Sequence, residues 1–293
     1  MKSLPLGAHM SVEGGLFRAL ERGKSIGCRT IQLFTRNSNR WAAKDLTLLE
    51  IEKFKSSRLQ TGITPVFAHC SYLINLAAPE FYERSIRALI LELERARQLG
   101  LEFVVLHPGA HRGAGEIEGL KMVVEALEQV IAETKDAKCK IAIENTAGQG
   151  SSIGCTFEQL DYIFSHLSNP DRIGYCIDTC HLFAAGYDLR TEKRYKEVFR
   201  RLSHHIPLSS ILAFHLNDSK KPIGSRVDRH EHIGKGHIGS AAFRCLLVDD
   251  RFAKVPKVLE TPKGKNLSED VMNLNYLRSL AGKVISRKTS LRG

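Results

Sequence analysis

The sequence predicts a (β/α)8 TIM barrel in a single domain over residues 1–293. Eight short apolar runs alternate with longer amphipathic stretches, the pattern of a parallel sheet coated by helices. No linker rich in Pro, Gly or Ser and no shift in composition divides the 293 residues. No GxGxxG fingerprint follows the first run, which weakens the alternative of an open dinucleotide-binding sheet. With 43% hydrophobic and 26% charged residues the chain can bury a sizeable core, and disorder, collagen and coiled coil are excluded.

In chain order, the strand candidates are LPLGAH (4–9), RTIQLFT (29–35), TPVFAH (64–69), LEFVVLH (101–107), CKIAIEN (139–145), RIGYCID (172–178), ILAFH (211–215) and PKVLE (256–260). Between them, Asp45 is the predicted N-cap of a helix over 46–60, with Gly62 past its end. The stretch 79–100 places Phe81, Ile86, Leu89, Ile90, Leu93 and Leu99 mainly at spacings of three and four, and Gly100 stops it. Thr156 with Gln159 makes a capping-box pattern, and Ser268 is the predicted cap of the last helix.

Lys and Arg number 43 against 32 Asp and Glu, a net charge of +11 that favours phosphate-bearing partners. Seven cysteines, an odd number without a CxxC pair, argue against a disulfide framework or zinc ribbon and for a reducing compartment. The N-terminus lacks an unbroken apolar signal core and no stretch of 18 or more apolar residues exists. A cytoplasmic, nucleoid-associated protein without a membrane partner is expected.

The chemistry is carried by what ends the runs. His9, His69, His107, Glu144, Asp178, His215 and Glu260 occupy or adjoin the last strand position in seven of the eight units. In a parallel barrel these ends converge on one face, where active sites of this fold lie. Any one such histidine is more often a satisfied core residue; the ring of them, with carboxylates that need compensating cations, points to a metal site. Asp178-Thr-Cys-His181 and Asp228-Arg-His230 add two local carboxylate–imidazole pairs. Imidazole plus carboxylate favours Zn2+ or Mn2+ over Mg2+ or Ca2+. The nine candidate ligands His69, His107, Glu144, Asp178, His181, His215, Asp228, His230 and Glu260 suffice for about three ions. Their four carboxylates leave such a cluster net positive, suited to an anionic phosphodiester.

GAHMSVEGG (7–15), HCSYLINL (69–76), HPGAH (107–111), IENTAGQG (143–150), CIDTCHLFAAGYDLRT (176–191), HLNDSK (215–220), GSRVDRHEHIGKGHIG (224–239) and LETP (259–262) together resemble the endonuclease IV family of zinc-dependent apurinic/apyrimidinic DNA-repair endonucleases. The resemblance spans about residues 5–262 and implies a monomer acting on duplex DNA with abasic sites or blocked 3′ ends. It implies hydrolysis of the phosphodiester 5′ to an abasic site, leaving a 3′-hydroxyl, by three zinc ions and a metal-bound hydroxide that Glu260 orients or deprotonates. By the same resemblance His69 and His107 hold one zinc and share the bridging Glu144 with a second, bound by Asp178, His215 and Glu260; His181, Asp228 and His230 hold the third. Manganese is an alternative occupant of part of the site. The implied DNA contacts are Tyr72 and Leu73 in the minor groove, Gly148 and Gln149 near the damaged strand, and Asn37.

Two departures stand out. Asn39 replaces an Arg common in the family, with Arg40 beside it as the expected substitute, and Cys70 replaces an Asp, so that an outer hydrogen bond to a ligand is expected to be missing. A metal-dependent sugar isomerase or epimerase on the same barrel, or an architectural DNA-binding protein with structural metals, remain alternative readings of the strand-end pattern.

Overall fold

The computed structural model describes residues 4–264 and 266–290; the outermost residues of the expected domain lie outside them. Strands run over Leu6–His9 (β1), Thr30–Phe34 (β2), Val66–His69 (β3), Phe103–Leu106 (β4), Lys140–Glu144 (β5), Ile173–Asp178 (β6), Ile211–His215 (β7), Asp218–Ser219 (β8), His230–Glu231 (β9) and Lys257–Leu259 (β10). β1 to β7 and β10 form a closed, all-parallel barrel in which β10 pairs with both β7 and β1. These are the eight runs read from the sequence; 211–215 is unchanged as β7 and the other seven are trimmed where their ends leave the ladder.

Period-two alternation decides what the barrel encloses. Phe67, Phe103, Val105, Ala142, Cys176, Ala213 and Val258 fill the interior as one apolar cluster. Two positions further along the same strands come His69, His107, Glu144, Asp178, His215 and Glu260. Each therefore emerges on the inward side, above a dry plug. The alternate residues, among them Ile31, Leu33, Ile141, Ile143, Ile177 and Leu259, pack outward in the main core.

The helices covering that face are Leu16–Ser25 (α1), Leu48–Thr61 (α2), Tyr82–Leu99 (α3), Glu116–Glu133 (α4), Phe157–Ser165 (α5), Thr179–Ala184 (α6), Glu192–Leu202 (α7), Ser240–Val248 (α8) and Ser268–Ser290 (α9). Gly62 and Gly100 end α2 and α3 in the left-handed conformation, φ 66° and 71°, which glycine adopts without a Cβ penalty. Three expected caps differ in detail. The cap of α2 is Thr47, in a full capping box with Glu50, because the helix starts two residues later than Asp45 allows. Thr156 caps α5, but the Gln159 side chain turns to the amides of Gly154 and Cys155. Ser268 lies inside α9 as its first residue, and its hydroxyl donates to Asn266.

The antiparallel ribbon β8–β9 was not foreseen, since two-residue strands carry no periodicity. Buried Asp218 organises its loop by accepting from the amides of Ser219, Gly234, Ile238 and Gly239. Gly236 must be glycine there, because a Cβ would lie 2.4 Å from the Ser219 carbonyl oxygen.

Candidate metal centre

All nine residues singled out by the sequence meet at the C-terminal mouth of the barrel. His69, Glu144, Asp178 and His215 end β3, β5, β6 and β7; His107 and Glu260 follow β4 and β10 by one residue. His181 comes from α6, which starts directly after β6 with the Asp178 side chain accepting from its amide. His230 starts β9, and Asp228 comes from the loop just before it.

Glu144 is central and wholly buried. Its Oε2 lies 3.2 Å from His69 Nε2 and 3.3 Å from His107 Nε2, and its Oε1 lies 2.8 Å from His215 Nδ1. Glu260 Oε2 is 3.0 Å from the same His215 nitrogen. Asp228 faces His181 Nε2 at 3.2 Å and His230 Nε2 at 3.1 Å, and Asp178 stands 3.7 Å from His230 Nε2. Four overlapping sets of donor atoms result among the described residues: His69, His107 and Glu144; Glu144, Asp178, His215 and Glu260; Asp178, His181 and His230; and Cys180, Asp228 and His230. The third differs from the sequence expectation in drawing on Asp178, with Asp228 joining His181 and His230 on the open side.

The outer nitrogens explain why the inner ones are available. His69 Nδ1 donates to the Cys70 carbonyl (2.7 Å), His181 Nδ1 to the Asn145 carbonyl (2.9 Å) and His230 Nδ1 to the Glu260 carbonyl (3.1 Å). His215 Nε2 donates to Gln32 Oε1 at 2.8 Å. Each neutral ring then turns its lone pair inward toward carboxylate oxygens, an arrangement that is repulsive unless cations lie between them. His181 Nε2 and His230 Nε2 are buried without a hydrogen-bond partner. The donor set therefore fits divalent cations that take imidazole and carboxylate.

Electrostatics agrees. Burial disfavours charge on Glu144 and Glu260, yet the imidazoles around them hold both carboxyls well below the usual range. Burial works against protonation of His69, His181 and His215 too, yet their anionic neighbours raise all three, and His230 is pushed up to about 9. His107, where burial dominates, falls to about 4. Asp178, at the most enclosed point, is raised by burial.

The Cys70 departure has a different consequence from the one expected. The backbone carbonyl of residue 70 serves His69, whatever side chain stands there, and the Cys70 thiol is buried and pushed up by that burial. Three contributors carry no ligand signal in the sequence. Gln32 donates to Glu260 Oε1 (2.6 Å) and contacts His9 Nδ1 (2.9 Å) while holding His215. Asn217 donates to Asp178 Oδ2 (2.6 Å) and accepts from the Glu260 amide, and Asn145 accepts from the Asp178 amide (2.7 Å). A polar amide inside the apolar run RTIQLFT was the available signal for Gln32.

Beside the centre lies a cavity of about 480 Å3 lined by Tyr72, Leu73, His107, Gln149, His181 and Asp228, with Trp41 and Phe81 at its wall. Tyr72 is 58% exposed and its ring sits 5.2 Å from that of His69, so it is a rim residue and not a core residue. Leu73 is half-buried, Asn37, Asn39 and Arg40 are exposed, and Gly148 (φ 75°) precedes Gln149, whose Oε1 faces the Asp228 amide.

Residues 20–280 match a family model described as a xylose isomerase-like TIM barrel. A "Probable endonuclease 4" of Chloroflexus aggregans is 48% identical over 276 residues, covering 94% of this chain and 96% of that protein. The chain belongs to the endonuclease IV family. A "Probable endonuclease 4" of Geobacter sulfurreducens is 49% identical, with 94% of each chain covered. The crystal structure of endonuclease IV from Thermus thermophilus superposes with a TM-score of 0.84 at 33% identity, over 95% of this chain and 99% of that one. Membership in the endonuclease IV family makes the chain a nuclease, and so a hydrolase, with acid and imidazole clusters suited to metal at the barrel mouth. Among the described residues no helix is long and apolar enough to cross a membrane.

Proposed function

We propose that the protein is a DNA-repair endonuclease that hydrolyses the phosphodiester 5′ to abasic sites, leaving a 3′-hydroxyl, and removes blocked 3′ termini. It works as a monomer and as one catalytic unit, in the cytoplasm at the nucleoid. The observation that carries the reading is the inward-facing set of imidazole lone pairs and buried carboxylates, with His69, His181, His215 and His230 each fixed from outside by a carbonyl or amide oxygen. Three zinc ions fit it, with manganese an alternative in part. His69 and His107 would hold the first, Glu144 would bridge to a second held with Asp178, His215 and Glu260, and His181, Asp228 and His230 would hold the third.

Divalent cations bound there supply Lewis acidity, which activates water near neutral pH and neutralises charge developing on phosphodiester oxygens. The chain's own residues do the rest. Glu260 has Oε1 committed to Gln32 and its amide to Asn217, so that Oε2, 3.0 Å from His215 Nδ1, is the oxygen that would orient a water and take up its proton. Glu144, locked among His69, His107 and His215, is the fixed anionic centre that keeps the rings facing inward. Tyr72 and Leu73 enter the minor groove at the lesion, Gly148 and Gln149 approach the damaged strand, and Asn37 and Arg40 contact the duplex, with Arg40 the residue that stands in for the Arg absent at position 39.

The test is incubation of metal-replete protein with duplex carrying a synthetic abasic analogue, beside elemental analysis. Nicking 5′ to the lesion with about three metals per chain is expected. Protein with one or two metals that leaves the duplex intact and turns over a sugar would instead be an isomerase or epimerase. Salt-sensitive DNA binding without turnover would identify an architectural protein.

A further inference from the structure

We propose that Glu92, in the middle of α3 and away from the metal centre, is the positioning residue that holds the two loops flanking the cavity in the shape that receives DNA. The proposal rests on the reading that residues 36–46 and 71–74 meet the duplex.

Glu92 is 1% exposed, and two guanidiniums of similar burial lie beside it, Arg36 (7%) and Arg95 (6%). Its Oε1 accepts from Arg36 Nε at 2.7 Å and from the Ser71 amide at 3.2 Å; its Oε2 accepts from Thr35 Oγ1 at 2.8 Å. One carboxylate thus grips the root of the loop after β2 and the first turn of the loop after β3. The cations pass this grip outward. Arg36 donates to the carbonyls of Arg40 (2.7 Å) and Trp41 (3.1 Å), and Arg95 to those of Thr35 (2.5 Å) and Lys44 (2.8 Å). Ser71 Oγ donates to the Ser38 carbonyl at 2.6 Å, joining the loops directly.

Among the described residues, the only backbone-to-backbone hydrogen bond within 36–46 is Arg40 N to Asn37 O at 3.4 Å. Loop shape is consequently imposed by Arg36 and Ser71, bonded directly to Glu92, and by Arg95, linked to it through Thr35 Oγ1, while Asn37, Asn39 and Arg40 remain exposed. Such a tether has its use in substrate binding: a loop held in its bound form loses less conformational freedom when DNA arrives.

Truncating one partner of a buried ion pair destabilises strongly, so the test uses E92Q, the paired R36M/E92M and S71A, which leaves the ion pair whole. In zinc-loaded protein, amide hydrogen exchange over 36–46 and 71–74 should accelerate in each variant. For an abasic-analogue duplex, Kd and KM should rise about tenfold for E92Q and R36M/E92M, less for S71A, with kcat and metals per chain within about twofold. A folded E92Q with wild-type exchange and KM overturns the proposal. So does a loss that falls in kcat together with metal content, which would mean that Glu92 acts through His69. Wild-type protein that neither binds nor nicks the duplex refutes the function proposed above, and the exchange data then still decide the tether.

Discussion

At the scale of single residues, the centre is a set of directional commitments. Gln32 and Asn217 hold Glu260 so that its Oε2 faces His215 Nδ1 in the centre. Glu260→Gln should leave Kd for abasic duplex within about threefold and reduce cleavage by 100-fold or more, on the order of what a positioned base supplies; single-turnover cleavage is the measurement. His69→Ala removes one of two rings facing Glu144 Oε2, so metals per chain should fall by about one and activity should vanish; a variant with full zinc content would contradict the ligand set. Tyr72→Ala takes away an exposed ring without a hydrogen bond to the centre, and should weaken DNA binding by about 1–3 kcal/mol while leaving metal content unchanged. These residues were legible as types at strand ends. Gln32, Asn145 and Asn217 were not, because an amide's value lies in what stands opposite it, and that is set by partners 33 to 228 positions away in the chain.

At the scale of elements, the strands were readable because apolar alternation is local, while caps shifted by a residue or two because several polar side chains compete for the same amides. Thr47 prevails over Asp45 in α2 by pairing reciprocally with Glu50. Thr47→Ala should therefore cost about 1 kcal/mol in urea unfolding, and Asp45→Ala much less. β10 brings a different cost into the barrel. Lys257 at its start is 1% exposed, with Nζ donating to the carbonyls of Phe252 and Val255, and burial pulls its pKa down to about 8. Between about 8 and the ordinary lysine value the unfolded chain binds more protons than the folded one, so stability rises with pH across that window and the full cost is present below it. Lys257→Met should lose this slope; unfolding free energies measured near pH 7 and near pH 10 will show it. The ribbon β8–β9 was invisible to periodicity, and it exists because Asp218 gathers four backbone amides around one carboxylate.

At the scale of the whole molecule, charge and metal act together. The surplus of +11 predicts DNA affinity that falls steeply as salt rises, with a log–log slope of several units. The carboxylates around His69, His181 and His215 favour positive charge at the centre against the burial that opposes it. Chelation should lower Tm by several degrees and zinc should restore it, since ligand binding to the folded state alone adds stability.

What the sequence determined by itself was the barrel and the identity of its mouth. Alternation with period two and the placement of acids and imidazoles two residues beyond the apolar plug are properties of neighbouring positions. What only the tertiary structure decided was the pairing: which nitrogen of each histidine faces inward, that Asp178 serves two donor sets, that Cys70 contributes its carbonyl, and that Glu92 gathers two loops. Most of those are relations between positions far apart in the chain, and folding fixes them because a buried polar group left without a partner is costly.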